Sequence, residues 1–139
     1  MSAEMLRYAR ERIERAGWQN VELVESDMAE YEFPQRVDGV LSTGAFGFVR
    51  ESDRVIERAA RALGPHGRLV ILDVKRPKQW PRWLFKIFLW VGRPFGVTLD
   101  YFARHPWKTV ERTLADVTYE EMYWGLVYLS SGTVRWPAA

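Results

Sequence analysis

The 139-residue chain has no cysteine, which excludes disulfides, thiolate metal sites and a cysteine nucleophile together. Its two histidines, His66 and His105, stand apart from each other and from the scattered acidic residues. No metal-ligand spacing results, and no metal site is expected. A long apolar run is missing as well. The longest tract, Trp83 to Val91, is interrupted by Lys86 and falls far short of the ~20 residues that a membrane-spanning helix needs. The stretch Met1 to Arg7 is charged and amphipathic, without the apolar centre of a secretory signal, so a cytoplasmic address is expected. Charge of one sign is also lacking, since 20 basic and 18 acidic side chains leave a formal net charge of +2. That balance argues against a protein that covers nucleic acid phosphates.

Against these absences, 47% of the residues are apolar, enough for the core of one domain. Charges cluster locally: Lys75, Arg76, Lys78, Arg82, Lys86 and Arg93 crowd one stretch, and Glu22, Glu25, Asp27, Glu30 and Glu32 another. Met5, Leu6, Ala9, Ile13 and Ala16 lie on one face of a first helix that Gly17 ends. Val21–Val24 and Val37–Ser42 read as short strands joined through the loop at Phe33-Pro34. Val55, Ile56, Ala59, Ala60 and Leu63 predict a second helix, with Gly64 as the left-handed residue after its end. The run Arg68–Asp73 follows as a buried strand whose terminal Asp73 is expected to project into a ligand-binding crevice. A basic aromatic helix between Pro81 and Pro94, a helix at Trp107–Leu114, and an antiparallel hairpin of Val117–Met122 with Leu126–Ser131 around Gly125 complete the reading.

Several of these stretches, in this order, resemble the class I S-adenosylmethionine-dependent methyltransferases of the type 11, quinone-biosynthesis-like kind. Ser2–Leu6 with Ala9-Arg10 resembles the helix after the family's second strand. Glu25-Ser26-Asp27-Met28-Ala29 resembles the adenine-binding turn, which implies that Asp27 accepts from the adenine amine and Met28 offers its backbone amide. Asp38–Gly44 resembles the fourth strand and the loop leaving it, which implies that Ser42, Thr43 and Gly44 line the cofactor, S-adenosyl-L-methionine, with Gly44 permitting close approach. Leu63-Gly64-Pro65-His66-Gly67 resembles a turn usually spelled with glycine where His66 stands, a departure expected to do no harm. The final hairpin resembles the reversed last strand of the family.

The family's first strand, its glycine-rich loop and its second strand have no counterpart, and no G-x-G pattern occurs. The expected fold is therefore α/β, a Rossmann-like methyltransferase sheet, N-terminally truncated, with a C-terminal antiparallel hairpin. Residues 1–135 are read as one partial methyltransferase domain, a fragment with a substrate-side helical insert at 75–115, and 136–139 as a tail. The missing strands leave two sheet edges bare, which favours a homodimer or a complementing subunit, unless the Val21 strand pairs directly with the Val37 strand.

The resemblance implies methyl transfer to a small-molecule or lipid-like acceptor. The alternative is a catalytically silent methyltransferase-like domain that acts as an interaction or regulatory partner. Two readings of Trp80–Tyr101 compete. In one, the aromatics beside Arg82, Lys86 and Arg93 make peripheral membrane contact or close over a greasy acceptor. In the other, favoured because apolar residues occupy more than one face, the helix packs on the sheet. Tyr101 and His105 are the only nearby groups fit for a general base, His105 before proline reads as structural, and no catalytic residue is assigned.

Overall fold

The computed structural model describes residues 3–134, so the Ser2 cap and the tail at 136–139 lie outside the described residues. The chain divides into two compact units, Met1–Tyr31 and Glu32–Ala139.

In the first unit, helix α1 (Ala3–Ala16) ends as Gly17 turns left-handed. The Gly17 N–H bonds to Glu14 O at 3.1 Å and the Trp18 N–H to Ile13 O at 3.2 Å, so orphan carbonyls of the last turn are satisfied. The expected strand at Val21–Val24 does not form. These residues are irregular, and the side chains of Val21 and Val24 are exposed. A strand exists by pairing, and the sheet includes no segment before Val37. Direct pairing of the Val21 segment with the Val37 strand is thereby overturned too.

The second unit is a four-stranded sheet with helices. Strand β1 (Val37–Thr43) leads through a single turn at Phe46–Phe48 to α2 (Ser52–Ala62) and β2 (Leu63–Val74). Helix α3 (Arg82–Gly92), single turns at Arg93–Phe95 and Tyr101–Ala103, and α4 (Pro106–Thr113) precede the hairpin β3 (Ala115–Met122) and β4 (Val127–Thr133). The strand order is β1-β2-β4-β3. β1 and β2 are parallel, while β4 lies antiparallel between β2 and β3.

β2 alternates rather than being buried throughout. Leu69, Ile71 and Asp73 are buried, whereas Val70 and Leu72 are half-buried. The buried set shares the core with Val55, Ile56, Ala59 and Ala60 of α2, Val110 and Leu114 at α4, and Tyr128 of β4. At the end of α2 the left-handed residue is His66 (φ 65°), not Gly64. Leu63 leaves the helix in extended backbone and pairs with Val37, and the register breaks before Gly39 meets Arg68. The reversal therefore falls at His66, the position where the related turn carries glycine. A side chain there costs about 1 kcal/mol.

Candidate cofactor and acceptor site

Ligands of parallel α/β sheets bind beyond the C-terminal ends of the strands. Here that edge is where β1 and β2 end together: Thr43 pairs with Leu72, and the Gly44 N–H donates to Leu72 O at 2.8 Å. The three expected residues of this loop are brought together but present different surfaces. Ser42, opposite Ile71, is buried, and its Oγ has no hydrogen-bond partner. Thr43 is exposed. Gly44 is left-handed (φ 61°), and a Cβ there would meet no protein atom within 4 Å. Glycine is thus favoured there by backbone conformation, and the space beside it is open.

Asp73 holds the loop in place. Its carboxylate is buried, and Oδ2 accepts from the N–H groups of Phe46 (3.0 Å) and Gly47 (3.3 Å). Oδ1 accepts from the Val74 N–H at 2.7 Å and from the Tyr101 hydroxyl. This corrects the expectation that Asp73 projects into a ligand crevice: the chain's own donors occupy it, as a buried carboxylate requires. Sequence reasoning noticed the acidic residue but not its partners, because Phe46, Gly47 and Tyr101 are remote in sequence. The only signal was an acid ending an otherwise apolar strand.

Tyr101 joins the clasp to the aromatic insert. Its ring meets Phe48 (centroids 4.8 Å apart) and Phe102 (5.1 Å), and Phe102 meets Phe85 of α3 at 5.1 Å. Burial, reinforced by the hydrogen bond to Asp73, pushes the Tyr101 hydroxyl above its ordinary range. Its proton is directed at the Asp73 carboxylate. Arg104 donates to the Gly47 carbonyl at 2.6 Å, a second tie between insert and loop. His105 caps α4 through its backbone, the Lys108 N–H bonding to its carbonyl at 3.0 Å.

Beside the clasp, the Lys75 ammonium pairs with Glu121 and lies over the rings of Trp107 (5.6 Å) and Tyr119 (5.3 Å). Burial pulls Lys75 down, but hydrogen bonding to Glu121 and Tyr119 outweighs it, and its pKa is raised. Hydrogen bonding to Lys75 holds the Glu121 carboxyl below the usual range.

Asp27 and Met28 belong to the first unit. Asp27 is exposed, its Oδ1 accepts from the Ala29 N–H at 2.8 Å, and its carbonyl accepts from the N–H groups of Glu30 and Tyr31. Met28 is half-buried. The residues so form a tight turn closed by the aspartate side chain, with Oδ1 committed to the turn itself.

The reversed strand decides the fold. An antiparallel strand between the parallel pair and its own hairpin partner is what sets this sheet apart from ordinary dinucleotide-binding sheets. The chain has the class I methyltransferase fold.

A family model described as a methyltransferase domain matches residues 1–67. A possible exported protein of Bordetella parapertussis is similar at 16% identity and TM-score 0.70, over 96% of this chain and 51% of that one. An S-adenosylmethionine-dependent methyltransferase of Aquifex aeolicus is similar at 20% identity and TM-score 0.59, over 96% and 65%. A phosphoethanolamine N-methyltransferase of Haemonchus contortus, solved with S-adenosyl-L-methionine, is 26% identical with a TM-score of 0.64, over 87% and 28%. The chain thus spans less than two thirds of each of these proteins. S-adenosyl-L-methionine is the cofactor of this fold class. The open Gly44 backbone and the orphaned Ser42 Oγ fit a ligand passing the β1 loop, whereas the sequence has no G-x-G pattern for its methionine end.

Proposed function

We propose that the chain supplies the adenine turn, the β1 loop and the acceptor-side insert of an S-adenosylmethionine-dependent methyltransferase with a small or lipid-like acceptor. The observation carrying this reading is the loop after β1, fixed by Asp73 at the strand ends and open beside Gly44. In this reading Asp27 accepts from the adenine amine through Oδ2, the oxygen its own turn leaves over, and Met28 meets the ring through its backbone amide. Ser42, Thr43 and Gly44 flank the methionine part. When bound, the cofactor brings a methyl group already activated by its sulfonium, so this chain's task is orientation and exclusion of water. Tyr101 serves by keeping the insert on the loop.

A lipid-like acceptor is supported by the aromatic inner side of the insert, where Trp80 meets Phe88 at 5.9 Å and Phe85 meets Phe102 at 5.1 Å. The test is transfer of label from methyl-tritiated cofactor into organic-extractable quinol or phospholipid acceptors. Chain-dependent label that Gly44→Val lowers at least about tenfold is expected. Bound cofactor without transfer to either acceptor class would contradict the acceptor assignment.

One observation favours a second reading, a silent domain that complements another chain. Among the described residues β1 pairs within the sheet only with β2, and Leu41 is 71% exposed. An edge strand carrying an exposed apolar side chain invites pairing. A stable dimer or heteromer with no cofactor binding would support this reading over the first.

A further inference from the structure

Helix α3 is apolar on both sides, but its sides differ in surroundings. Phe85 is buried and Leu84, Phe88 and Leu89 are half-buried, which defines the inner face. Trp83, Ile87, Trp90 and Val91, spaced i, i+4, i+7 and i+8, form an outer stripe. All four are exposed, Trp83 by 63% and Trp90 by 76%. Past the helix, Phe95 and Leu99 are exposed as well. The expectation that this segment is simply a core helix is thereby corrected: only its inner face is.

Arg82, Lys86 and Arg93 recur at i, i+4 and i+11, which places them in one row flanking the apolar stripe. All three are exposed, and none is in an ion pair among the described residues. The sequence from Val74 to Leu99 includes no aspartate or glutamate. Among the described residues no helix is long and apolar enough to cross a membrane. The arrangement is a short helix with tryptophans outward and a cationic row beside them. Tryptophan favours the headgroup level of a bilayer, and lysine and arginine are drawn to anionic lipid.

We propose that the outer face of α3, with Phe95 and Leu99, docks on the surface of a membrane rich in anionic lipid. Trp83 and Trp90 enter the interface, while Arg82, Lys86 and Arg93 engage the headgroups. The occupant is a lipid surface rather than a protein because the apolar residues form a stripe with charge of one sign along its border, which matches a plane of anionic headgroups above acyl chains. The inference stands on this face alone and is independent of methyl transfer.

The test is sedimentation of the full chain with vesicles of phosphatidylcholine alone or with about a third phosphatidylglycerol. Binding to the anionic vesicles is expected, weakening steeply as salt rises from about 50 to about 500 mM. Trp83→Ser with Trp90→Ser should weaken it at least about tenfold. Arg82→Glu with Lys86→Glu should abolish the preference for anionic vesicles. All of these side chains are exposed, and unchanged circular dichroism verifies that the variants fold. A folded wild-type chain that ignores anionic vesicles overturns the proposal. So does equal binding by the tryptophan variant. A vesicle-indifferent dimer that Trp90→Ser makes monomeric would instead assign the face to a second copy of the chain.

Discussion

Asp73 ties the sheet to the loop after β1 and to the insert, because its carboxylate accepts from three backbone N–H groups and one phenol while buried. Removing the acceptor leaves those donors unpaired in the core. Asp73→Ala should cost about 3 kcal/mol or more, read by urea denaturation, and Tyr101→Phe about 1.5–3 kcal/mol, the worth of a hydrogen bond to a charged group. Gly47 reports on the same contact from the other side, since a Cβ there would stand 2.0 Å from the Tyr101 ring. Gly47→Ala must therefore displace the ring and break the clasp. The Lys75–Glu121 pair sets a pH dependence. Glu121 titrates below its ordinary value of 4.5 when folded. The stability it adds is thus present above about pH 4.5 and lost as pH falls through the lower folded value. Lys75 is raised above 10.5, so its contribution holds below that pH and fades above the raised value. Glu121 is partly exposed, and the total is at most about 1 kcal/mol. Comparing unfolding of wild type and Glu121→Gln from pH 7 down to pH 3 checks it: the difference should shrink as pH falls below about 4.5.

At the scale of elements, the turn between α2 and β2 makes the most specific prediction. His66 holds a left-handed backbone that glycine adopts freely, so His66→Gly should stabilise the chain by about 0.5–1 kcal/mol, read from the denaturation midpoint. An unchanged or lower midpoint would contradict the strained assignment. The same turn shows what is legible in a sequence. The helix Val55–Leu63 and the strand after it were readable because each buries one regular face. The residue that reverses the chain was not, because Gly64, Pro65 and Gly67 around His66 are all good turn formers and only tertiary pairing of Leu63 with Val37 selects among them. The β3–β4 hairpin was equally plain, its strands short and separated by a turn at Gly125. Val21–Val24 misled for the opposite reason, since alternation is a pattern any segment can carry and a strand needs a neighbour. Helix α3 was half legible: periodicity gave the helix, but apolar residues on both sides hid which side faces inward.

At the scale of the molecule, the sheet order carries the fold and the sequence motifs carry the site, and the two meet at the β1 loop. The loop's position was readable from its resemblance, while the clasp that fixes it came only with three-dimensional contacts between residues about 27 and 57 positions apart. Whether these parts act together on a nucleoside cofactor is the central question, and the measurement that tests it most directly is titration calorimetry of the intact chain with S-adenosylhomocysteine. The product occupies the same pocket without turnover. Saturable binding in the micromolar range is predicted, weakened about tenfold in Asp27→Asn, which retains the turn-closing oxygen but removes the second carboxylate acceptor. A folded chain that gives no binding heat at millimolar ligand, at two temperatures, would contradict the account and leave the silent, complementing domain in its place.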